Sequence, residues 1–262
     1  MKLNHTIQGT GKAIILIHGL FGSGNNLRRL SHALSKNYMV ISPDLRNHGK
    51  SPICQKMDYP SMALDIIELM KELDLSKASL IGHSMGGKIA MQAALSYAHK
   101  VEKIVIGDIL PIDYKPDIQI NAINGLNAIV SSRPASRKQA DEILSKHISD
   151  LAIREFLLKN LILKEDGKYS VRVFMESINT NYSRELAMSV TGKPFEGPTL
   201  FIKGGKSDYI REQYFKDTLQ LFPKSQHTTI NGAGHWLHVE KSVEFNQIII
   251  KFLSTYRNLL IF

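Results

Sequence analysis

The sequence predicts an α/β protein built on a mostly parallel, doubly wound sheet with a helical insertion. Mainly apolar runs, one of them unbroken at 13–17, alternate with stretches whose apolar residues recur at helical spacing, and these runs end in loops rich in glycine and polar residues. The alternation stops for 80 residues, from 111 to 190. Continuous apolarity is typical of strands buried on both faces, and strand–helix alternation implies parallel strands covered by helices on both sides.

The composition indicates a folded protein of ordinary type. The chain has 262 residues, 43% of them apolar, which suits a single large unit. Its one cysteine, Cys54, cannot form an internal disulfide, and no apolar run reaches the roughly 18–20 residues that span a bilayer. Residues 1–11 lack the apolar core and cleavage site of a secretory signal. We therefore expect a cytoplasmic protein without an integral membrane segment.

The charge of the chain favours acidic partners. The formal net charge is +9, but lysines and arginines are scattered and form no run interleaved with aromatic residues. This distribution argues against nucleic-acid binding. A substrate that carries phosphates, such as an acyl-CoA, fits the charge better.

The first part of the chain is a regular series of strands and helices. An edge strand is predicted at 2–8 and a buried strand at 13–17, followed by a loop with three glycines and a helix at 25–35. The series continues with strands at 39–42, 78–81 and 101–106 and helices at 59–73 and 85–98. Ligands of such sheets bind at the carboxyl ends of the strands, where His18, Ser84 and Asp108 are all expected.

Residues 111–190 are interpreted as a helical cap inserted into a core formed by residues 1–110 and 191–262. The segment has helical patterns at 118–131, 136–147 and 152–163 and a short run at 169–173 that is either a small sheet extension or part of the insert. It is far too long for an ordinary connection. A separate small domain is the alternative, but no linker-like composition flanks the segment.

The core pattern resumes after the insertion. Strands are predicted at 199–202 and 227–230, and helices at 211–221 and 240–254. The apolar tail at 259–262 is expected to pack against its own domain.

The run Gly82-His83-Ser84-Met85-Gly86 is the centre of the functional prediction. It follows a predicted strand and precedes a predicted helix, which is the context of a nucleophilic serine on a sharp strand-to-helix turn. The glycines let the backbone take this strained geometry, and the free N–H groups of the helix point to where negative charge develops. The context predicts that Ser84 is a catalytic nucleophile.

The base and the acid are expected later in the chain. His235 stands on a glycine-flanked loop after a strand, so it can reach back towards Ser84. Asp208 and Asp108 each follow a strand, and the loop position alone favours Asp208 as the residue that orients the histidine. His18 more plausibly orients backbone. His235 with His238 could suggest a metal pair, but no third ligand of matching context follows, so no metal and no cofactor are predicted.

The oxyanion of the reaction needs two backbone donors. One is expected from the residue after the nucleophile and one from the loop after the first buried strand. These residues are Met85 and Leu20.

Several runs resemble those of the α/β-hydrolase superfamily and, more closely, YbfF-type esterases and acyl-CoA thioesterases. They are His18-Gly19-Leu20-Phe21-Gly22-Ser23, Asp44-Leu45-Arg46-Asn47-His48-Gly49, Gly82-His83-Ser84-Met85-Gly86-Gly87-Lys88, Asp108-Ile109-Leu110-Pro111-Ile112-Asp113-Tyr114 and Gly232-Ala233-Gly234-His235-Trp236. The resemblance covers nearly the whole chain, with the cap only loosely matched. It implies an α/β-hydrolase fold and a serine hydrolase acting on carboxylic esters or thioesters, with a small-molecule ester or acyl-CoA as substrate.

The resemblance also bears on the acid. In these relatives the loop that corresponds to Lys203–Tyr209 can carry a serine, here Ser207, without an aspartate beside it, and the acid then corresponds to Asp108. This chain has both aspartates, so the resemblance favours Asp108 and leaves Asp208 as the alternative, with Ser207 expected to give a hydrogen bond near His235. Perhydrolysis, carbon–carbon bond hydrolysis and a non-catalytic interaction role on the same scaffold are the alternative functions.

Overall fold

The computed structural model describes residues 1–255, and within them seven strands form one sheet in the order β1-β3-β2-β4-β5-β8-β9. Strand β1 is antiparallel to β3, and the other neighbouring strands are parallel. This confirms the mostly parallel sheet. The strands of this sheet are β1 (His5–Gln8), β2 (Ala13–Ile17), β3 (Met39–Pro43), β4 (Ala78–His83), β5 (Val101–Gly107), β8 (Thr199–Gly204) and β9 (Ser225–Ile230); the short strands β6 (Leu161–Leu163) and β7 (Tyr169–Val171) pair with each other.

Helices cover both faces of the sheet because its strands are apolar on both sides. In β2, Ile15 and Ile17 belong to the apolar cluster that packs under α2 and α3, whereas Ile14 and Leu16 belong to the cluster under α1 and α10. This alternation is the strand period of two applied to a doubly covered sheet. The helices are α1 (Arg28–Leu34), α2 (Tyr59–Glu72), α3 (Met85–Ser96), α4 (Ile120–Ser132), α5 (Arg137–Ser145), α6 (Leu151–Leu158), α7 (Met175–Asn181), α8 (Phe215–Leu221), α9 (Leu237–Glu240) and α10 (Ser242–Thr255).

The segment between β5 and β8 contains α4 to α7 and the β6–β7 pair. One expectation for it was wrong: the helical pattern of 152–163 ends as α6 at Leu158, and Leu161–Leu163 is a strand. The register Leu161 to Val171 and Leu163 to Tyr169 shows that the short run at 169–173 pairs inside the insertion rather than with the main sheet. A tertiary partner distant in sequence overrides the local helical pattern here.

Several element boundaries also differ from the sequence expectation. The helix predicted at 25–35 starts as a 3₁₀ turn at Gly24–Leu27 before α1, and the helix predicted at 240–254 is α10, which is preceded by the separate short helix α9. No helix within residues 1–255 is long and apolar enough to cross a bilayer. The apolar run at 259–262 lies outside the described residues.

Candidate active site

Ser84 lies in a strained turn between β4 and α3. Its φ of 54° and ψ of −123° are unfavourable for a residue with a side chain, and its N–H is held by the carbonyl of Gly107 in the next strand at 2.9 Å. A Cβ on Gly82 would lie 2.1 Å from the carbonyl oxygen of Gly86, and one on Gly86 would lie 2.2 Å from that of Ile17. The two glycines therefore allow the close backbone contacts that place Ser84 at the end of β4.

The His235 imidazole bridges Ser84 and Asp108. Its Nε2 lies 3.1 Å from Ser84 Oγ and its Nδ1 lies 2.8 Å from Asp108 Oδ2. Asp108 and Ser84 are 127 and 151 positions from His235 along the chain, and the three residues follow three different strands. A carboxylate can only accept, so Nδ1 carries a hydrogen and Nε2 presents its lone pair to the serine hydroxyl.

Asp108 is fully buried, with 0% of its surface exposed, and its carboxylate is satisfied by several donors. The N–H of Gly204 donates to Oδ1 at 2.9 Å, and the hydroxyl of Ser207 donates to Oδ2 beside His235. Donors on both oxygens hold the carboxylate in one orientation. Ser207 thus lies next to the pair formed by His235 and Asp108, where a hydrogen bond was expected.

Asp208 is placed differently. Its side chain is exposed on the loop after β8, whereas Nδ1 of His235 is already paired with Asp108. The structure therefore brings Asp108, and not Asp208, to the imidazole. Loop position alone favoured Asp208. Sequence spacing could not decide between the two aspartates, because it does not show how far a loop turns away from the sheet edge.

Two residues that hold His235 were missed by the sequence reasoning. The Tyr209 ring stacks on the imidazole with centroids 3.9 Å apart and planes at 15°. Nε2 of His83 lies 2.7 Å from the His235 carbonyl oxygen and donates to it, so the residue before Ser84 anchors the loop that carries His235. Burial lowers the pKa of His83 well below its ordinary value, which keeps this ring neutral. No sequence signal distinguished these contacts, because they join segments far apart in the chain.

The loop after β2 passes directly over Ser84. A Cβ added to Gly19 would lie 3.4 Å from Ser84 Cβ, and Leu20 lines the cavities on both sides of the serine. Within residues 1–255, the N–H groups of Leu20 and Met85 donate to no other group of the protein. Both amides are therefore free for a ligand at Ser84.

The segment between β5 and β8 contributes to the cavity above Ser84. Side chains from α4 and α6 line it together with Ser84 and His235, among them Ala122, Ile153 and Phe156. The walls are mainly apolar, which suits the hydrocarbon part of a substrate.

Lys88 of α3 joins the two ends of the segment between β5 and β8 to the helix that follows Ser84. Its side chain is buried, and its ammonium donates to the carbonyls of Ile112 at 2.9 Å, Ala187 at 3.4 Å and Met188. The ammonium also lies 4.9 Å from the centre of the Tyr114 ring. Burial lowers the pKa of Lys88 to about 7.

The histidines near the site are not arranged as metal ligands. Among residues 1–255, no three or more His, Cys, Asp or Glu side chains are grouped so that they could hold a metal ion. The His238 ring packs on His83 at 4.3 Å, and burial lowers its pKa to about 3.

The fold and the site define an α/β hydrolase, and comparison with known proteins agrees. Residues 12–133 match the family model described as the alpha/beta hydrolase fold. The chain is 35% identical to Esterase YbfF of Escherichia coli (strain K12), over 97% of this chain and 100% of that protein. It is 35% identical to the sn-1-specific diacylglycerol lipase ABHD11 of Mus musculus, over 92% of this chain and 81% of that protein.

A solved structure agrees equally well. The structure of a marine microorganism esterase superposes with a TM-score of 0.92 at 37% identity, covering 96% of this chain and 99% of that one. The chain therefore belongs to the α/β-hydrolase family. Within it, the chain is a hydrolase of the esterase/lipase type.

Proposed function

We propose that this protein cleaves carboxylic esters, and thioesters such as acyl-CoA, through a covalent acyl-enzyme on Ser84. The observation that carries the proposal is the unbroken hydrogen-bonded series from Ser84 Oγ through His235 to Asp108, at 3.1 Å and 2.8 Å. A serine hydroxyl is a weak nucleophile unless a base takes its proton, and this series supplies the base and the group that orients it.

In the first half-reaction, Ser84 Oγ attacks the carbonyl carbon while His235 Nε2 takes the hydroxyl proton. The carbonyl oxygen becomes an oxyanion, which the N–H groups of Leu20 and Met85 stabilise by hydrogen bonds. The imidazolium then gives its proton to the leaving alcohol or thiol, and the acyl group remains on Ser84. Asp108 holds the tautomer and stabilises the imidazolium without taking the proton.

In the second half-reaction, water replaces the leaving group. His235 takes a proton from the water, the resulting hydroxide equivalent attacks the acyl carbonyl, and the proton returns to Ser84 as the carboxylic acid leaves. The same amides hold the second oxyanion. Apart from the substrate and this water, each group required by the cycle is a side chain or backbone amide of this chain.

The cap and the charge support the substrate class. We assign residues 111–190 to a cap because α4 and α6 line the apolar cavity over Ser84. A second opening beside His235, of about 550 Å³, suits a polar leaving group such as the phosphate-bearing part of an acyl-CoA. Its charged lining residues are Lys115, Lys206, Arg211, Asp113 and Asp208, with cations in excess.

Replacing the nucleophile tests the proposal directly. Ser84→Ala should lower kcat on p-nitrophenyl acetate and on short acyl-CoAs by about a millionfold, since that is the order of loss when a triad nucleophile is removed. The folded state of the variant is checked by circular dichroism. A variant that keeps wild-type turnover of these substrates contradicts the proposed chemistry.

Covalent labelling provides a second readout that does not depend on the choice of substrate. A fluorophosphonate should label the wild-type protein at Ser84 and leave Ser84→Ala unlabelled. A wild-type protein that resists the reagent would favour a non-catalytic role. Hydrolysis of the p-nitrophenyl ester but not of the acyl-CoA would restrict the proposal to oxygen esters.

A further inference from the structure

We propose that His18 and His48 are positioning residues of the oxyanion hole, because their imidazoles hold the two peptide planes on either side of the Leu20 α-carbon. The inference rests on the proposed function, in which the Leu20 N–H stabilises the oxyanion. Both rings are buried, each with 1% of its surface exposed, and their hydrogen bonds go to Gly19, Leu45, Phe21 and Arg46 rather than to Ser84, His235 or Asp108.

The first peptide plane, between Gly19 and Leu20, is held through its carbonyl. The Gly19 oxygen accepts from His18 Nδ1 at 2.8 Å and from the N–H of Gly22 at 3.0 Å. A trans peptide is planar, and its C=O and N–H point in opposite directions. Fixing the Gly19 carbonyl therefore fixes the direction of the Leu20 N–H.

The second peptide plane, between Leu20 and Phe21, is held through its N–H. This group donates to His48 Nε2 at 3.1 Å. Phe21 has a φ of 61°, in the left-handed region that disfavours residues with a side chain, so the turn needs external support. The Phe21 carbonyl also accepts from Asn160 Nδ2 at 2.8 Å, which leaves both polar groups of Phe21 bonded.

The hydrogen bonds determine the tautomer of each ring. His48 Nδ1 lies 2.9 Å from the Arg46 carbonyl oxygen, which can only accept, so the hydrogen is on Nδ1 and Nε2 is free to accept from Phe21. His18 has the same arrangement, since its Nδ1 donates to Gly19 and its Nε2 accepts from the N–H of Leu45 at 3.0 Å. Burial lowers the pKa of His18 to about 4 and that of His48 to about 3, so both rings stay neutral acceptors.

The two contacts are reciprocal. His18 belongs to the loop after β2 and accepts from the loop after β3, whereas His48 belongs to the loop after β3 and accepts from the loop after β2. The rings meet edge to face with centroids 5.2 Å apart. These contacts align the loop after β3 against the loop after β2. The Arg46-Asn47-His48-Gly49 run thereby helps to position the Leu20 N–H without itself contacting the substrate.

The test compares three variants of His48 by ester kinetics. His48→Leu removes the acceptor for the Phe21 N–H and should lower kcat on p-nitrophenyl acetate about 100-fold, with KM changed less than about threefold, since misplacing a reacting group by about 1 Å costs this order of rate. The side-chain oxygen of His48→Gln reaches the position of Nε2 and should restore kcat at least about tenfold over His48→Leu. The oxygen of His48→Asn reaches only the position of Nδ1 and should not restore it.

A transition-state mimic separates positioning from simple loss of stability. A trifluoromethyl ketone forms a tetrahedral oxyanion on the serine, so its affinity should fall by the same factor as kcat/KM in His48→Leu and recover in His48→Gln. His227→Leu serves as a matched control: it removes a half-buried histidine of β9 that packs on Phe201, and it should leave both quantities near wild type.

The outcomes distinguish the two proposals. If wild type hydrolyses the ester and Ser84→Ala does not, but His48→Leu keeps kcat within about threefold of wild type or the Gln and Asn variants are equal, the positioning role alone is overturned. If wild type shows no turnover, or Ser84→Ala remains active, the proposed function fails and this inference fails with it.

Discussion

Replacing Asp108 by asparagine tests how the carboxylate acts on His235, because it exchanges one acceptor oxygen for a donor at nearly constant shape. Asp108 accepts at both oxygens, from Gly204 on one side and from Ser207 and His235 on the other. An amide cannot satisfy both sides. When the amide oxygen faces Gly204, the amide NH₂ group faces His235 Nδ1 and needs an acceptor there. The imidazole hydrogen must then be on Nε2, so Nε2 has no lone pair to take the Ser84 proton.

The reverse orientation of the amide is also unfavourable. Its NH₂ group would face the Gly204 N–H, which leaves two buried donors opposed at a cost of about 1–3 kcal/mol each. In either orientation the imidazolium loses its anionic partner. The equivalent change in a serine triad lowers kcat by about 10⁴, which corresponds to about 5.5 kcal/mol of transition-state stabilisation. We expect a loss of this order in kcat/KM for Asp108→Asn.

The assay is steady-state hydrolysis of p-nitrophenyl acetate at pH 7 to 9, with thermal unfolding to verify that the variant is folded. Asp208→Asn is the matched control, since its carboxylate is exposed, and it should stay within about threefold of wild type. The reasoning is refuted if Asp108→Asn keeps more than about a tenth of the wild-type kcat/KM, or if Asp208→Asn loses as much.

Two predictions concern stability. The pKa values of His18 and His48 are lowered from an ordinary value of 6.5 to about 4 and about 3 in the folded protein. Between the folded and the ordinary pKa the unfolded state binds more protons than the folded state. The contribution of the two neutral rings to the free energy of unfolding is therefore lost as the pH falls below about 6.5. The free energy of unfolding from urea titrations should decrease by up to about 1.4 kcal/mol per pH unit for each ring between pH 6 and 4.5. The slope of this free energy against pH should be smaller in His48→Leu. An unchanged slope in that variant contradicts this account. Lys88→Met should leave buried carbonyls without a donor and destabilise the protein by at least about 2 kcal/mol, with faster proteolysis within residues 111–190; an unchanged melting temperature would show that the ammonium does not hold the insertion.

The sequence by itself determined the sheet and the strand-to-helix turn at Ser84, because both depend on local pattern. Mainly apolar runs identified β2, β3, β4 and β5 to within a few residues, since strands buried on both faces are predominantly apolar. The glycines around Ser84 identified the turn, because only residues without a Cβ tolerate contacts as short as 2.1 Å.

The tertiary structure decided what joins distant segments. Three features depend on where a loop ends in space, which local residue type and spacing do not show. They are the strand Leu161–Leu163, the position of Asp108 rather than Asp208 beside His235, and the stacking of Tyr209 on His235. The same holds for His18 and His48, whose hydrogen bonds connect loops 27 positions apart. Hydrogen bonds and ring contacts are short-ranged and directional, so only the folded chain shows which groups meet.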